Sequence, residues 1–293
     1  MSLVALIMLV LKISIVLSVI AIGLKTSIAD ATFLFRKPGY LSRAILAMYV
    51  IMPIVALLIG MSFNLNPAVK IALVVLSVSP IPPVLPKKAF KAGGTGDYTI
   101  GLLADTSLLA IIIIPLSLDV FERLTKIPLE MSATSIASKV LATIIVPLLI
   151  GMAINRFLPN IAERVARPLS LIAPVLLVLC FLPVLIGSLH SILSLVGDGT
   201  LISMAVFAFI GIVVGHVLGG PKSENRPVLA LATSSRHPAI AIAIAHANFP
   251  DQKQVVPAVL LYLLLSGIMA VPYLNWMKTK VGATAPDKKQ VPA

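Results

Sequence analysis

Two short stretches set permanent charge and helix breakers into otherwise apolar sequence. In "SPIPPVLPKK", Ser79–Lys88, the prolines Pro80, Pro82, Pro83 and Pro86 lead into Lys87 and Lys88. In "ATSSRHPAIAIAIA", Arg236 and His237 stand directly before Pro238. Ammonium and guanidinium groups donate hydrogen bonds and attract anions; they cannot coordinate a metal cation. An unperturbed imidazole titrates close to physiological pH. The chemistry within reach is therefore anion binding, charge compensation by a carboxylate, or proton exchange. Thr106, Ser107, Thr233, Ser234 and Ser235 could add hydroxyl donors, although such side chains in membrane helices more often bond their own backbone.

The elements that carry these groups are membrane spans. The chain has 293 residues, 59% hydrophobic and only 12% charged, with a mean hydropathy of +1.07. A soluble domain of that length would need far more polar surface, so the class is an all-α integral membrane protein. Lys and Arg number 23 against 11 Asp and Glu. No charged face or run of interleaved aromatics suits a nucleic acid, so the excess is read as orientation information. The one cysteine, Cys180, lies in an apolar run and has no partner for a disulfide.

A span takes about 20 apolar residues. Such runs cover Leu3–Leu24, Ala44–Phe63, Tyr98–Phe121, Ser135–Phe157, Pro168–Ile186, Thr200–Leu218 and Val255–Trp276. The first is too long for a signal-peptide core and is expected to be a true span. Two further elements, from Pro67 to about Gly94 and from Arg226 to Phe249, are apolar but interrupted by the two stretches above. Nine membrane elements in a single domain, 1–293, are expected, with residues 279–293 a disordered tail.

One set of alternate loops carries Lys25, Arg36, Lys37, Arg43, Arg156, Arg164, Arg167, Lys222, Arg226, Lys278, Lys280, Lys288 and Lys289. The other carries only Lys70, Arg123, Lys126 and Lys253. The rich side should be cytoplasmic, which places the N-terminus outside and the C-terminus inside the cell membrane. Lys12 falls within the first span, where snorkelling competes with a functional role.

Proline removes backbone donors and disfavours helix in the residue before it, so neither interrupted element can be continuous. Released backbone groups are tolerated at membrane depth only inside protein or beside a wet cavity. The breaks hold comparable places, the third of the first four elements and the fourth of the last five. Matching interruptions point to a transporter of inverted repeats, 1–122 and 130–278, with its site where the breaks meet.

Three strings in this order resemble the bile acid:sodium symporter family, of the bile/arsenite/riboflavin transporter superfamily. They are "AIGLKTSIADATFLFRKPGYLSRAILAMYVIMPIVALL", "SPIPPVLPKKAFKAGGTGDYTIGLLADTSLLAIIIIPL" and "SSRHPAIAIAIAHANFP". The resemblance implies a nine-span form, repeats of four and five helices, a panel domain and a core domain that carries both crossovers. It also locates the departures. The family's Ser-Asn pair falls on Lys87 and Lys88, and the Ser and Thr completing its first sodium site fall on Gly101 and Asp105. Its Glu falls on Ala232, its Gln-Asn pair on Arg236 and His237, and an earlier Gln near Met48.

The expected sodium ligands are therefore missing, and fixed cations stand in their place. Asp105 is the natural partner for Lys87 or Lys88, because an unpaired buried lysine is strongly disfavoured. Gly101 and Asp105 share one helix face, expected to look at the first crossover. Either the pair substitutes permanently for the ion, giving a sodium-independent carrier, or its proton or that of His237 moves in the cycle. The competing expectation is that the lysines sit at a water-facing helix end. A positively biased cavity should take a small organic anion, such as a carboxylate or sulfate.

Other classes fit less well. "GTGD", Gly94–Asp97, matches an intramembrane aspartyl protease signature, but Asp105 lies on the same helix, roughly 12 Å away. Asp97 is expected instead to cap that helix. A metalloid efflux carrier would be expected to use a crossover cysteine, and none is present. His190, His216, Cys180 and His246 have no metal-ligand spacing, and no cofactor is implied.

Overall fold

The computed structural model describes residues 3–125 and 133–284. Every regular element among them is helical. Seven helices are long and apolar enough to cross a membrane, and Leu9–Gly23 and Pro67–Val78 are shorter apolar helices. Lys126, Lys288, Lys289 and the end of the expected tail lie outside the described residues. The last helix runs to Thr284, which corrects the expectation of a tail from 279.

Helix α1 (Leu3–Gly23) is followed by a single turn, α2 (Ile28–Ala31). Ser27 and Asp30 close a capping box around α2, satisfying its first amides from within the loop. Helices α3 (Pro38–Ile45) and α4 (Met52–Ser62) are one element joined by a π-helical stretch, Leu46–Ile51. The same device joins α8 (Ala133–Val140) to α9 (Val146–Phe157) through Leu141–Ile145. Each π stretch runs into a proline, Pro53 or Pro147, whose missing N–H disturbs the ladder one turn upstream.

The first interrupted element is α5 (Pro67–Val78) and α6 (Leu85–Lys91), followed by α7 (Gly96–Thr125). Next come α10 (Pro159–Gly187), the short α11 (Leu189–Leu193) and α12 (Thr200–Leu218). The second interrupted element is α13 (Asn225–Ser234) and α14 (Pro238–Asn248), and α15 (Val255–Thr284) closes the chain.

Helix α1 packs on α9 and α10, where Gly23 and Gly151 let the backbones touch. Helix α12 packs along α13 through Gly211, Gly215 and Gly219. A Cβ on Gly215 would lie 2.4 Å from the Leu229 carbonyl oxygen. Small residues at this spacing bring membrane helices into close backbone contact. The side chains of Leu171, Val175, Leu179 and Ile186 on α10 are exposed, as lipid-facing apolar residues would be. Both broken helices lie inside, their junctions buried among α3–α4, α7, α12 and α15.

Candidate functional site: the crossing of the two broken helices

The site forms where α5 and α13 both end. Val78 and Ser234 close these helices, and the next residues, Ser79 and Ser235, are extended. A helix C-terminus leaves carbonyls without partners and carries partial negative charge. Here each break satisfies the other. The His237 amide donates to the Pro80 carbonyl at 2.9 Å. The Arg236 guanidinium donates from Nη1 to the Ser79 carbonyl at 3.2 Å and from Nη2 to the Met48 carbonyl at 3.1 Å.

The Met48 carbonyl is available for a local reason. In a π-helical ladder its partner would be the amide five residues on. That residue is Pro53, which has none. Arg236 thus ties three elements together while remaining completely buried. Tyr49 and Tyr262 brace the crossing by donating to the Thr106 and Ser234 carbonyls. Among the described residues Arg236 has no carboxylate partner, and its Nε is unsatisfied. His237 is also buried, with both ring nitrogens lacking partners.

The expected pairing of Asp105 with Lys87 or Lys88 is corrected. Asp105 is completely buried, but one carboxylate oxygen accepts from the amides of Leu34 at 2.8 Å and Phe35 at 3.2 Å. The face of α7 bearing Gly101 and Asp105 receives α2 and the turn after it, not the first crossover. A Cβ at Gly101 would meet Phe33 Cβ at 2.8 Å and the Asp30 carbonyl at 3.0 Å. A buried carboxylate is stabilised by backbone donors as readily as by a cation. The loop leaving α1 supplies them.

Lys87 turns to α10 instead. Its Nζ donates to the Ser170 carbonyl at 2.7 Å. Four residues on from Ser170 is Pro174, so that carbonyl has no helical donor and lies open to the lysine. Lys87 and Lys88 are both half-buried, and Lys88 has no bonding partner among the described residues. Lys12 is exposed on α1.

The hydroxyls mostly serve their own helices. Thr106 bonds the Leu102 carbonyl, Thr233 that of Leu229 and Ser234 that of Leu231. Ser107 Oγ is buried without a partner, and Ser235 is buried beside Arg236. Pro80, Pro82, Pro83 and Pro86 keep the link between α5 and α6 open, and Pro238 begins α14. Asp97 lies inside the first turn of α7 and accepts from the Tyr98 amide, so it does not precede the helix as expected of a cap. No cluster suited to a metal ion occurs among the described residues.

What this arrangement can do is hold positive charge between convergent carbonyls, with a guanidinium as the resident cation. The description of the sodium bile acid symporter family matches residues 12–195, more than half of the chain. The chain belongs to that family. Its relatives include the uncharacterized sodium-dependent transporter YocS of Bacillus subtilis, 26% identical over 266 residues, covering 87% of this chain and 79% of the relative. The ileal sodium/bile acid cotransporter of Homo sapiens is 22% identical over 296 residues, covering 97% and 82%. A probable chloroplastic sodium/metabolite cotransporter of Oryza sativa subsp. indica, BASS5, is 22% identical over 270 residues, covering 88% and 67%. This member of the symporter family is accordingly a multi-pass membrane transporter and not an enzyme. The protease-like "GTGD" is the entry to α7, with Gly94 and Thr95 before the helix and Gly96 and Asp97 in its first turn.

Proposed function

We propose that the protein carries a small organic anion across the cell membrane by alternating access, without sodium, and that Arg236 occupies the place of a sodium ion. The supporting observation is the buried guanidinium bonded to the Ser79 and Met48 carbonyls. Sodium needs several hard oxygen ligands. Oxygens already bonded to a fixed guanidinium are lost to it, and the positive charge repels a second cation. Because Arg236, Lys87 and Lys88 have no carboxylate partners among the described residues, the region carries a positive bias that favours an anion.

In this reading α1, α9 and α10 form the panel, and the remaining spans form a core that rocks against it. The repeats are 1–122, with four helices, and 130–278, with five. Each holds one broken helix before its closing span and one π stretch before a proline. Lys87 joins the two bodies through the Ser170 carbonyl. The Lys and Arg distribution supports an external N-terminus and a cytoplasmic C-terminus. Proton coupling is the second reading, favoured by the two unpartnered nitrogens of His237.

Uptake of taurocholate and of small carboxylates into proteoliposomes is the test. Flux should persist when choline replaces sodium. A strict sodium requirement overturns the reading, and flux that follows an imposed pH gradient transfers it to His237.

A further inference from the structure

At the end of the bundle where α3 begins, the turn after α12 folds over Tyr40. Gly220, at φ +94°, lies so close that a Cβ there would sit 2.6 Å from the Tyr40 ring and 3.1 Å from Arg43 Nη1. Between this turn and α3 is a cavity of ≈ 300 Å³, lined by Lys37, Pro38, Gly39, Tyr40, Arg43 and Pro221. Lys37 and Arg43 pair with no carboxylate among the described residues, where the ion pair found, Arg123 with Asp119, is elsewhere. Glu224, on the far side of the turn, is exposed and bonds neither.

Behind the lining lies a second tyrosine. The Tyr98 ring packs 5.3 Å from that of Tyr40. Its hydroxyl is fully buried and has no hydrogen-bond partner among the described residues, so it stands behind the cavity wall and not in it. Arg226 fixes the turn by donating from Nε to the Gly220 carbonyl at 3.3 Å. Its charge and that of Lys280 act on His216, so the positive field extends round the turn.

We propose that this cavity binds a phosphoryl group. Its oxygens accept hydrogen bonds and carry negative charge, which matches Lys37 and Arg43; a guanidinium suits them especially well. The cavity opens where the apolar span Pro38–Ser62 starts, and the exposed Trp276 ring, with Lys280 4.3 Å above it, lies at the same end of the bundle. That is headgroup depth. The source favoured by position is an anionic phospholipid, with inorganic phosphate the other source of the same chemistry. The site does not depend on what the crossing transports.

Purified protein would be titrated with phosphatidylglycerol, phosphatidylcholine and inorganic phosphate, reading melting temperature and lipid retained in native mass spectrometry. Phosphatidylglycerol should stabilise saturably. Arg43→Gln and Lys37→Gln should each weaken it by about tenfold, the loss of one charge-assisted contact. Stabilisation by inorganic phosphate with the same variant dependence supports the site and assigns it to the free anion. No stabilisation by either probe, or unchanged phosphatidylglycerol affinity in both Gln variants, overturns the proposal.

Discussion

Replacing Arg236 by Ala tests whether a tethered cation holds the crossing together. The guanidinium makes two bonds to buried carbonyls, at 3.2 and 3.1 Å. Hydrogen bonds to charged groups are worth about 1.5–3 kcal/mol each, so the gross loss is about 3–6 kcal/mol. Part of this is returned, because a buried charge without a carboxylate carries a desolvation penalty that alanine removes. The net destabilisation expected is about 2–4 kcal/mol, or a fall in melting temperature of roughly 5–15 °C for a chain of this size. Arg236→Lys should lie between the two, since an ammonium lacks the planar fork that reaches both the Ser79 carbonyl and the π stretch. The decisive assay compares wild type and Arg236→Ala in sodium, potassium and added guanidinium. A small cation that fills the vacated site at a hundred times its dissociation constant restores about 2.7 kcal/mol. Recovery in the variant, with no sodium effect in wild type, is expected. A variant that melts with wild type, or a wild type stabilised by sodium over potassium, refutes the reasoning.

The other predictions concern positions around the crossing. Asp105→Ala removes the acceptor of the Leu34 and Phe35 amides and should cost about 2–4 kcal/mol. Asp105→Asn, which keeps one carbonyl acceptor, should cost less, both read by thermal melting. Lys87→Met should change stability by under about 1 kcal/mol because the side chain is half-exposed. A Lys87→Cys, Ser170→Cys cross-link should nevertheless block uptake if α6 and α10 separate in the cycle, and unchanged flux in the cross-linked protein would show that they do not. Gly215→Ala places a methyl against the Leu229 and Ala230 backbones and should cost about 1–3 kcal/mol. Gly60→Ala and Gly267→Ala, where a Cβ meets nothing within 4 Å, should be neutral or mildly stabilising; equal melting temperatures for all three would remove the close-packing argument.

What the sequence made legible is what depends on run length and on proline. The apolar runs mark the spans, and the clusters at Pro80–Pro86 and Pro238 mark the two places where a helix must stop. Arg236 could be singled out because a charge at such a stop has to find carbonyls or a carboxylate. Its acceptors were not legible, since Met48 is free only because the ladder before Pro53 is π-helical, and one extra residue per turn leaves an apolar run unchanged. The partner of Asp105 was misread for a related reason. Composition suggests pairing a lone carboxylate with a nearby lysine, but backbone amides carry no mark in the sequence, and Leu34 and Phe35 lie far away in it. The partner of Lys87 required knowing that α10 passes within reach of its side chain and that Pro174 frees the Ser170 carbonyl. The spacing Gly211, Gly215, Gly219 was present as a signal for the α12–α13 contact and could have been used.

One consequence follows from the position of Arg236 between the ends of α5 and α13. Two helix C-termini directed at one point repel each other through their partial negative charges unless a cation lies between them. A dissolved ion in that place leaves when its concentration falls, so the crossing is held only while the ion is bound, and this dependence is what couples a gradient to the cycle. A guanidinium on the chain is present at every ion concentration. On the proposed reading, the crossing then keeps its charge balance in both the outward and inward states, and the free energy for opening must come from the transported anion itself. Net flux would follow the anion gradient, and exchange across the membrane would be faster than net uptake, because the charges of Lys87 and Lys88, which have no carboxylate partner among the described residues, are neutralised only in the loaded carrier.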